Sequence, residues 1–533
     1  MARHLTTLIA RHVQRQPHAV LVQADRDQEA LSYGTCWRWA ARAADTLAGA
    51  GAAQGRPVVV RAPKSVEALA AYLGAMRLGA VWTPVAPGAT DAELRHVLAD
   101  AAPTLVVDGA RAIEDLVGPR PSADTGAPGR PALDDPAGDP ELDDPRLDPG
   151  GTAAMLYTSG TTGRPKGVPL SGSALAANAL ALCDAWRFTR DDVLVHALPT
   201  HHAHGLFVGL GCVLASGASM RWLDRFEAEA VVEALPHATV FMGVPTYYER
   251  LMRHDGFTPA ACANLRLATS GSAPLSSATR RRVASRTGLE VVERYGMTET
   301  LMITSNPLDG ARKPGSVGTA LPGVEVRVDI GRSATDVGSN RSGAVNGGEA
   351  AGGEAAGGEV GIVEVRGPSV FDGYQGGGRT GTDWTEDGWF RTGDLGWMDG
   401  DGYLHLVGRA KDVIITGGLN VYPAEVEAAV ADVEGVAEVA VIGLPDTEWG
   451  ERVAAVVVPS DAAALDDAVH ADLLRQELAA GARQALSAYK VPKRWELVAD
   501  LPRNSMGKVT KNALRSRYSS GGARPASDAH GPT

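Results

Sequence analysis

Apolar residues along this chain fall into two alternating spacings. Leu5, Leu8, Ile9 and Val13 recur three and four residues apart, which predicts an amphipathic first helix. Val66, Leu69, Ala70, Leu73 and Met76 form a second such stripe, followed by the strand-like run AVWTPV. The runs DVLVHALP (192–199), ATVFMGVP (238–245) and VAEVAVIGLP (436–445) read as short buried strands, each closed by a proline. Helices alternating with buried strands imply an α/β protein with a largely parallel sheet covered on both faces. At about 150 residues per domain, 533 residues would make three or four units, or two large ones. A polar junction at GRAKD (408–412) divides a large N-terminal domain from a small C-terminal one that repeats the same α/β style.

Three segments lack this patterning. Residues 118–150 are rich in Pro, Gly and Asp and cannot sustain helix or ladder hydrogen bonds. Residues 331–359 end in GGEAAGGEAAGGE, a run without branched apolar side chains to offset the entropy of ordering. Both are expected to be flexible, and residues 518–533 to form a disordered tail.

Composition narrows the functional classes. The chain is 44% hydrophobic, ample for a core, and its 51 basic against 63 acidic side chains leave a net charge of −12. That balance argues against a nucleic-acid partner or an anionic membrane, both of which need clustered cations. Anionic small molecules remain open, because they need only local cations and backbone N–H groups. No run approaches 18 apolar residues, so no membrane span is expected. The basic N-terminus lacks an unbroken apolar stretch and reads as an ordinary helix, with an organelle transit segment as the alternative. Four scattered cysteines (Cys36, Cys183, Cys212, Cys262) form no CxxC pair or zinc spacing, which points to a reducing, cytoplasmic setting.

The densest chemistry lies in YTSGTTGRPKG, Tyr157 to Gly167, directly after the apolar AAML. Its glycines let successive N–H groups converge, while Thr158, Ser159, Thr161, Thr162 and Lys166 can complete a cradle for phosphate oxygens. It is not a Walker loop, because Pro165 precedes Lys166 and removes a donor. The competing reading is a polar surface loop.

This run resembles the phosphate loop of the adenylate-forming superfamily: acyl-CoA synthetases, stand-alone adenylation domains and firefly-type luciferases. RYGMTET (294–300), WFRTGD (389–394), GRAKDVIITGGLNVYPAEVE (408–427) and LPRNSMGK (501–508) follow in that family's order, and the likeness spans residues 10–517. The resemblance implies αβ-layered sheets plus a distorted β-barrel over residues 1–408, a hinge at 409–412 centred on Lys411, and a small α+β lid over 413–517. It implies ATP and Mg²⁺, with CoA as co-substrate, and a carboxylic acid activated as its adenylate. ATP contacts would fall on Thr158, Ser159, Gly160, Thr161, Thr162 and Lys166, on Gly271, Ser272 and Ala273 of GSAPL, on Arg294, Tyr295, Gly296 and Met297, and on Asp394 and Arg409.

Several of these positions also have plainer readings. Glu299 beside Thr298 is suited to holding Mg²⁺ against phosphates, although a lone Glu is more often a solvated charge. Asp394 could accept from ribose hydroxyls or make an Asx turn, and Arg409 could contact ribose or form an ion pair. Gly417 and Gly418 could let a pantetheine arm pass the backbone, or simply turn the chain. Lys508 is implied to bridge the acid and the α-phosphate. A carboxylate is already ionised at neutral pH, so the obstacle is the meeting of two anions, which a cation relieves.

The acid pocket is expected from LPTHHAHGL (198–206), the 238–246 strand end and the RYGM segment, with His202, Ala203, His204, Arg294 and Met297 as its residues, and the resemblance implies that His202 sits near the reacting carboxylate. The dense histidines His201, His202 and His204 with Arg294 could receive a second carboxylate. The wording resembles malonyl-CoA synthetases, yet Thr200, His201 and Ala203 depart from that group and favour a roomier site. A malonate-like dicarboxylate and a larger or cyclic acid therefore both stay open. So does delivery to a separate carrier protein in place of CoA. The four arginines of TRRRVASR (279–286) read as a solvated helix face. A non-catalytic nucleotide sensor is disfavoured, because Lys166, Glu299, Asp394, Arg409 and Lys508 are all present.

Overall fold

The computed structural model describes residues 4–23, 29–121, 148–158, 165–330, 354–355, 358–379, 381–503 and 509–519. The chain divides into two compact units. The first comprises Met1–Asp329, Ile362–Thr392 and Trp397–Leu406; the second comprises Ile330–Gly361, Gly393–Gly396 and Val407–Thr533.

A nine-stranded sheet runs through the first unit. Five neighbouring strands, Val292–Met297, Leu267–Ser270, Val240–Gly243, Val193–His196 and Ser219–Trp222, pair in parallel, with antiparallel strands toward the ends. A five-stranded sheet follows the order Leu105–Asp108, Pro57–Arg61, Val81–Val85, Thr152–Thr158, Lys166–Ser171, and only its last pair is antiparallel. The prolines act as expected at two strand ends. Val193–His196 stops before Pro199, and Pro245 opens the helix Pro245–Met252, where a missing N–H costs nothing.

Helices of this unit are fixed by their caps and by close packing. Ser65 accepts from the Ala68 N–H to start Val66–Leu78, which ends at Gly79 with φ +71°. Gly74 lets this helix meet Tyr33–Gly49 closely, since a Cβ there would stand 2.8 Å from the Ala43 Cβ. The first helix, Leu5–Arg15, buries Leu5, Leu8, Ile9 and Val13 in the main core, as its spacing predicts. A four-stranded sheet orders Glu325–Asp329, Gly361–Arg366, Phe390–Met398 and Leu404–Arg409.

The second unit departs from the expected α/β style. Val436–Asp446 is a long strand rather than a short one closed by Pro445, and it pairs antiparallel with Gly450–Pro459 through a tight hairpin. Pro445 fits because it lies beside the turn, paired to Glu451. Alternate side chains of both strands face two separate clusters. Val441, Val453, Ala455 and Val457 pack with Val426, Val430, Leu474 and Leu478; Ala440, Ile442, Ala454 and Val456 pack with Val498, Leu501 and Leu514.

The unpatterned segments are only partly described. Gly118 is tied down, because its carbonyl and that of Val117 both accept from Trp39 Nε1, whereas 122–147 lie outside the described residues. Within 331–359, Glu354–Ala355 and Gly358–Glu359 form a two-stranded ladder. The helix Lys511–Ser519 covers the first two residues assigned to the tail, Tyr518 and Ser519, whose backbone continues regularly from the turns before it. All four cysteines are free thiols, and no helix among the described residues is long and apolar enough to cross a membrane.

Asp192 pins the strands that carry the site. Its carboxylate accepts from Arg266 (2.6 and 2.7 Å), from Thr239 Oγ1 (2.7 Å) and from the Thr189 N–H (2.8 Å). Burial pushes its pKa up, but the bonds from Arg266, Thr189 and Thr239 outweigh it and hold it below the ordinary value of 3.8. A depressed folded pKa stabilises above the unfolded value and loses that contribution as pH falls through the folded one. Asp192→Ala should therefore lower stability by about 3–5 kcal/mol at pH 7. In denaturant melts the gap from wild type should close as the pH falls below about 4.

Candidate active site

The parallel strands of the nine-stranded sheet end at one edge, the position where ligands bind in open α/β folds. There the chain leaves Val193–His196, passes Pro199 and enters a wide π-type turn over His204–Gly209. Gly205 permits that path, because a Cβ would stand 2.2 Å from the Pro199 carbonyl oxygen. The ring of His202 lies 4.1 Å from that of His201, and the Nε2 atoms of His202 and His204 are buried without a hydrogen-bond partner. Burial pushes the pKa of His202 down to about 3 and that of His204 well below its ordinary value, the latter helped by Arg294. Both imidazoles are neutral at neutral pH. His201 also lines a cleft with Tyr72, Trp82 and Trp222.

Arg294 supplies the charge. It stands on Val292–Met297 at 5% exposure, and its Nε and Nη2 have no partner. Its guanidinium lies directly over Gly271, where a Cβ would come within 2.1 Å of Nη1. Gly271 thus makes room for the arginine, a stricter demand than an adenine wall alone would make. Burial lowers the Arg294 pKa to about 10, which still leaves it cationic at neutral pH. Ser272 follows at φ +68°, a costly conformation outside glycine, with its Oγ 3.4 Å from His204 Nδ1. Ala273 is exposed beside it, while Ala203 and Met297 are half-buried against the main core.

The expected phosphate and metal residues form a second group. Thr158 and Lys166 face each other as the last pair of an antiparallel hairpin, whereas Ser159, Gly160, Thr161 and Thr162 lie outside the described residues. Lys166 Nζ sits 4.6 Å from the centroid of the Tyr374 ring, and the Tyr374 hydroxyl donates to Glu299 Oε1 at 3.0 Å. Tyr374 therefore joins two motifs far apart in sequence. Nothing local to it announces this role. Tyr295 is buried, and Gly296 stands where a Cβ would strike the Leu301 carbonyl at 2.1 Å, so the turn carrying Thr298 and Glu299 is tightly closed.

Among the described residues no group of three or more His, Cys, Asp or Glu is placed to hold a metal. Glu299, a single buried carboxylate, nevertheless suits Mg²⁺, which commonly takes one or two carboxylates together with substrate phosphates.

In the second unit, Asp394 and Arg409 meet each other, with Arg409 Nε 2.8 Å from Asp394 Oδ1. Lys411 is exposed in the short turn Ala410–Asp412, whose Asp412 is held by Arg515 at 2.9 Å. Gly417 (φ +58°) and Gly418 (φ +78°) turn the hairpin between Ile414–Thr416 and Leu419–Val421. A Cβ on Gly417 would stand 2.7 Å from the ring of Trp449, which is 51% exposed, and the Gly417 N–H donates to the Trp449 carbonyl at 2.8 Å. The exposed indole makes this turn more than a simple reversal. Lys508 lies outside the described residues. Of the helix arginines, Arg286 is no solvated charge: it binds the carbonyls of Met252, His254 and Phe257. Arg282 pairs with Glu249.

A family profile described as "AMP-binding enzyme" matches residues 9–375, and one described as "AMP-binding enzyme C-terminal domain" matches residues 425–508. A mitochondrial malonate–CoA ligase of Mus musculus is 40% identical over 390 residues, covering 69% of this chain and 65% of that protein. The chain thus aligns with just under two thirds of that relative's length. An indoleacetate–CoA ligase of Aromatoleum aromaticum is 34% identical over 530 residues, covering 96% and 97%. The crystal structure of ATP-bound MatB from Rhodopseudomonas palustris superposes with a TM-score of 0.82 at 38% identity, covering 97% of this chain and 99% of that one. The chain belongs to the AMP-binding enzyme family, the adenylate-forming superfamily of the acid–CoA ligases.

Proposed function

We propose that this chain is an ATP-dependent acid–CoA ligase whose acid is a dicarboxylate of the malonate type carrying a substituent on its α-carbon. In the first half-reaction a carboxylate oxygen attacks the α-phosphorus of ATP, giving the acyl-adenylate and pyrophosphate. In the second, the CoA thiol attacks the acyl carbon, AMP leaves, and a proton is released.

The observation that carries the choice of acid is Arg294, a buried guanidinium with two unpaired nitrogens, Nε and Nη2, beside two neutral imidazoles. A buried cation without a partner is costly, and a second carboxylate in bidentate contact offsets that cost. The small Ala203 leaves room at the α-carbon. A bulky cyclic monocarboxylate would use the same room and leave Arg294 unpaired, so the charge favours the dicarboxylate.

The chain's own groups divide the remaining work. The 158–166 loop and Lys166 bind the phosphates, the 271–273 wall flanks the adenine, and Asp394 exchanges its bond from Arg409 for ribose hydroxyls. Glu299, held by Tyr374, would carry Mg²⁺, which when bound draws charge from the phosphate oxygens. His202 lies nearest the reacting carboxylate, and Lys508 neutralises the carboxylate and α-phosphate as they meet. Lys411 is the hinge. Gly417, Gly418 and Trp449 flank the pantetheine arm. Free CoA is the acceptor, and a carrier-bound pantetheine presents the same thiol for comparison. Four free thiols fit a reducing compartment, and we assign the enzyme to the cytoplasm.

Three outcomes test this. Arg294→Met should raise KM for malonate and methylmalonate on the order of 10²-fold in pyrophosphate exchange while sparing indole-3-acetate or benzoate; equal losses across the panel would remove the dicarboxylate assignment. Lys508→Ala should slow adenylate formation by roughly 10²–10³-fold with ATP affinity kept, as read by single-turnover kinetics and nucleotide titration. Trp449→Ala should raise KM for CoA about tenfold without changing pyrophosphate exchange, which involves no thiol.

A further inference from the structure

Lys64 is a buried amine that the reaction above does not use. It lies between Pro57–Arg61 and Val66–Leu78 at 8% exposure. Its Nζ is 2.9 Å from His196 Nδ1, 2.6 Å from the His196 carbonyl and 2.5 Å from the Leu223 carbonyl. It also lies 4.3 Å from the centroid of the Trp222 ring, on which the His196 ring stacks at 5.0 Å. The far side of His196 reaches the wide turn, with Nε2 2.9 Å from the Gly205 carbonyl.

The proton count follows from these contacts. A carbonyl can only accept, so His196 Nε2 carries the hydrogen directed at Gly205. The three atoms around Lys64 Nζ then need three donors, or two donors and a proton on Nδ1. Either way the couple holds one positive charge. Burial lowers the pKa of both groups, and His196, pushed down to about 3 by burial and by Lys64, leaves the proton on the ammonium. Asp224 acts on Lys64 through space in the opposite sense.

We propose that Lys64 and His196 are positioning residues for the acid site: the ammonium fixes the His196 tautomer, and the Nε2–H fixes Gly205 and the turn that presents His202 and His204. The turn offers few other ways to settle. Gly205 is pressed onto the Pro199 carbonyl, a Cβ on Gly209 would meet His196 Nε2 at 3.3 Å, and the Leu206 N–H donates to the His202 carbonyl at 2.9 Å. Lys64 also ties together the ends of two parallel strands, since the Leu223 N–H donates to the same His196 carbonyl. A purely structural role would stop there. The inference rests on the acid–CoA ligase reading and goes beyond it, because nothing in the 198–206 motif points to a residue in the other sheet.

Two substitutions at one position separate the roles. His196→Phe keeps an aromatic ring on Trp222 but has no N–H, whereas His196→Gln keeps a donor within reach of Gly205. Pyrophosphate exchange would be measured with malonate, methylmalonate and indole-3-acetate, alongside ATP affinity and melting temperature. His196→Phe and Lys64→Met should raise KM for the acid about tenfold, the scale of one lost hydrogen bond, with ATP affinity unchanged within twofold. His196→Gln should restore KM to within about threefold of wild type. An unchanged acid KM in His196→Phe, a His196→Gln as impaired as His196→Phe, or a parallel fall in ATP affinity would overturn the proposal. Wild-type protein that exchanges pyrophosphate with none of the three acids would instead overturn the ligase reading beneath it.

Discussion

A positive charge held out of water without a carboxylate beside it is the constraint around which the acid end of this protein is arranged. Arg294 leaves two nitrogens, Nε and Nη2, unpaired at the edge of the nine-stranded sheet. Isolated buried charges cost several kcal/mol even after relaxation, so such a site persists only where the surrounding structure is rigid enough to prevent its collapse. Gly271 is part of that rigidity, because the guanidinium occupies the space of its missing side chain. Neutral histidines nearby add hydrogen-bonding groups without adding like charge. The resulting pocket is cationic in an otherwise acidic protein, and a local field rather than net charge decides what binds there.

The scaffold brings this about by convergence. Five parallel strands deliver their carboxyl ends to one edge, and each contributes a different element: His196 and the wide turn, the Leu223 carbonyl, the helix-opening Pro245, Gly271 with Ser272, and Arg294 itself. Asp192 and Arg266 clamp three of these strands at the opposite end, away from the chemistry. At the edge itself, Ser272 takes a left-handed conformation.

Much of this was legible in the sequence, for identifiable reasons. The 157–167 run, RYGMTET and the Gly-Gly turn are local patterns, so their residues could be named without knowing the fold. Helical stripes and proline-bounded strands were equally readable, because burial and backbone restriction are both local. Strand direction was not. In Val436–Asp446 both faces are buried, and a doubly buried strand has the same composition whether its neighbours run parallel or antiparallel. Residues recruited from distant segments were likewise invisible: Tyr374 joins Lys166 to Glu299, Lys64 reaches His196 from another sheet, and Trp449 covers Gly417, none within a recognisable motif. Pairing was equally hidden, since Asp394 and Arg409 bind each other.

The wide turn over His204–Gly209 has an implication for how enzymes of this kind diversify. A π-type turn closes its hydrogen bonds over one residue more than an α-helical turn. Deleting one residue there would let the segment rewind as α-helix and rotate the side chains before it by about 100° relative to those after it. Substrate preference could then shift through a change in chain length, with every pocket residue retained.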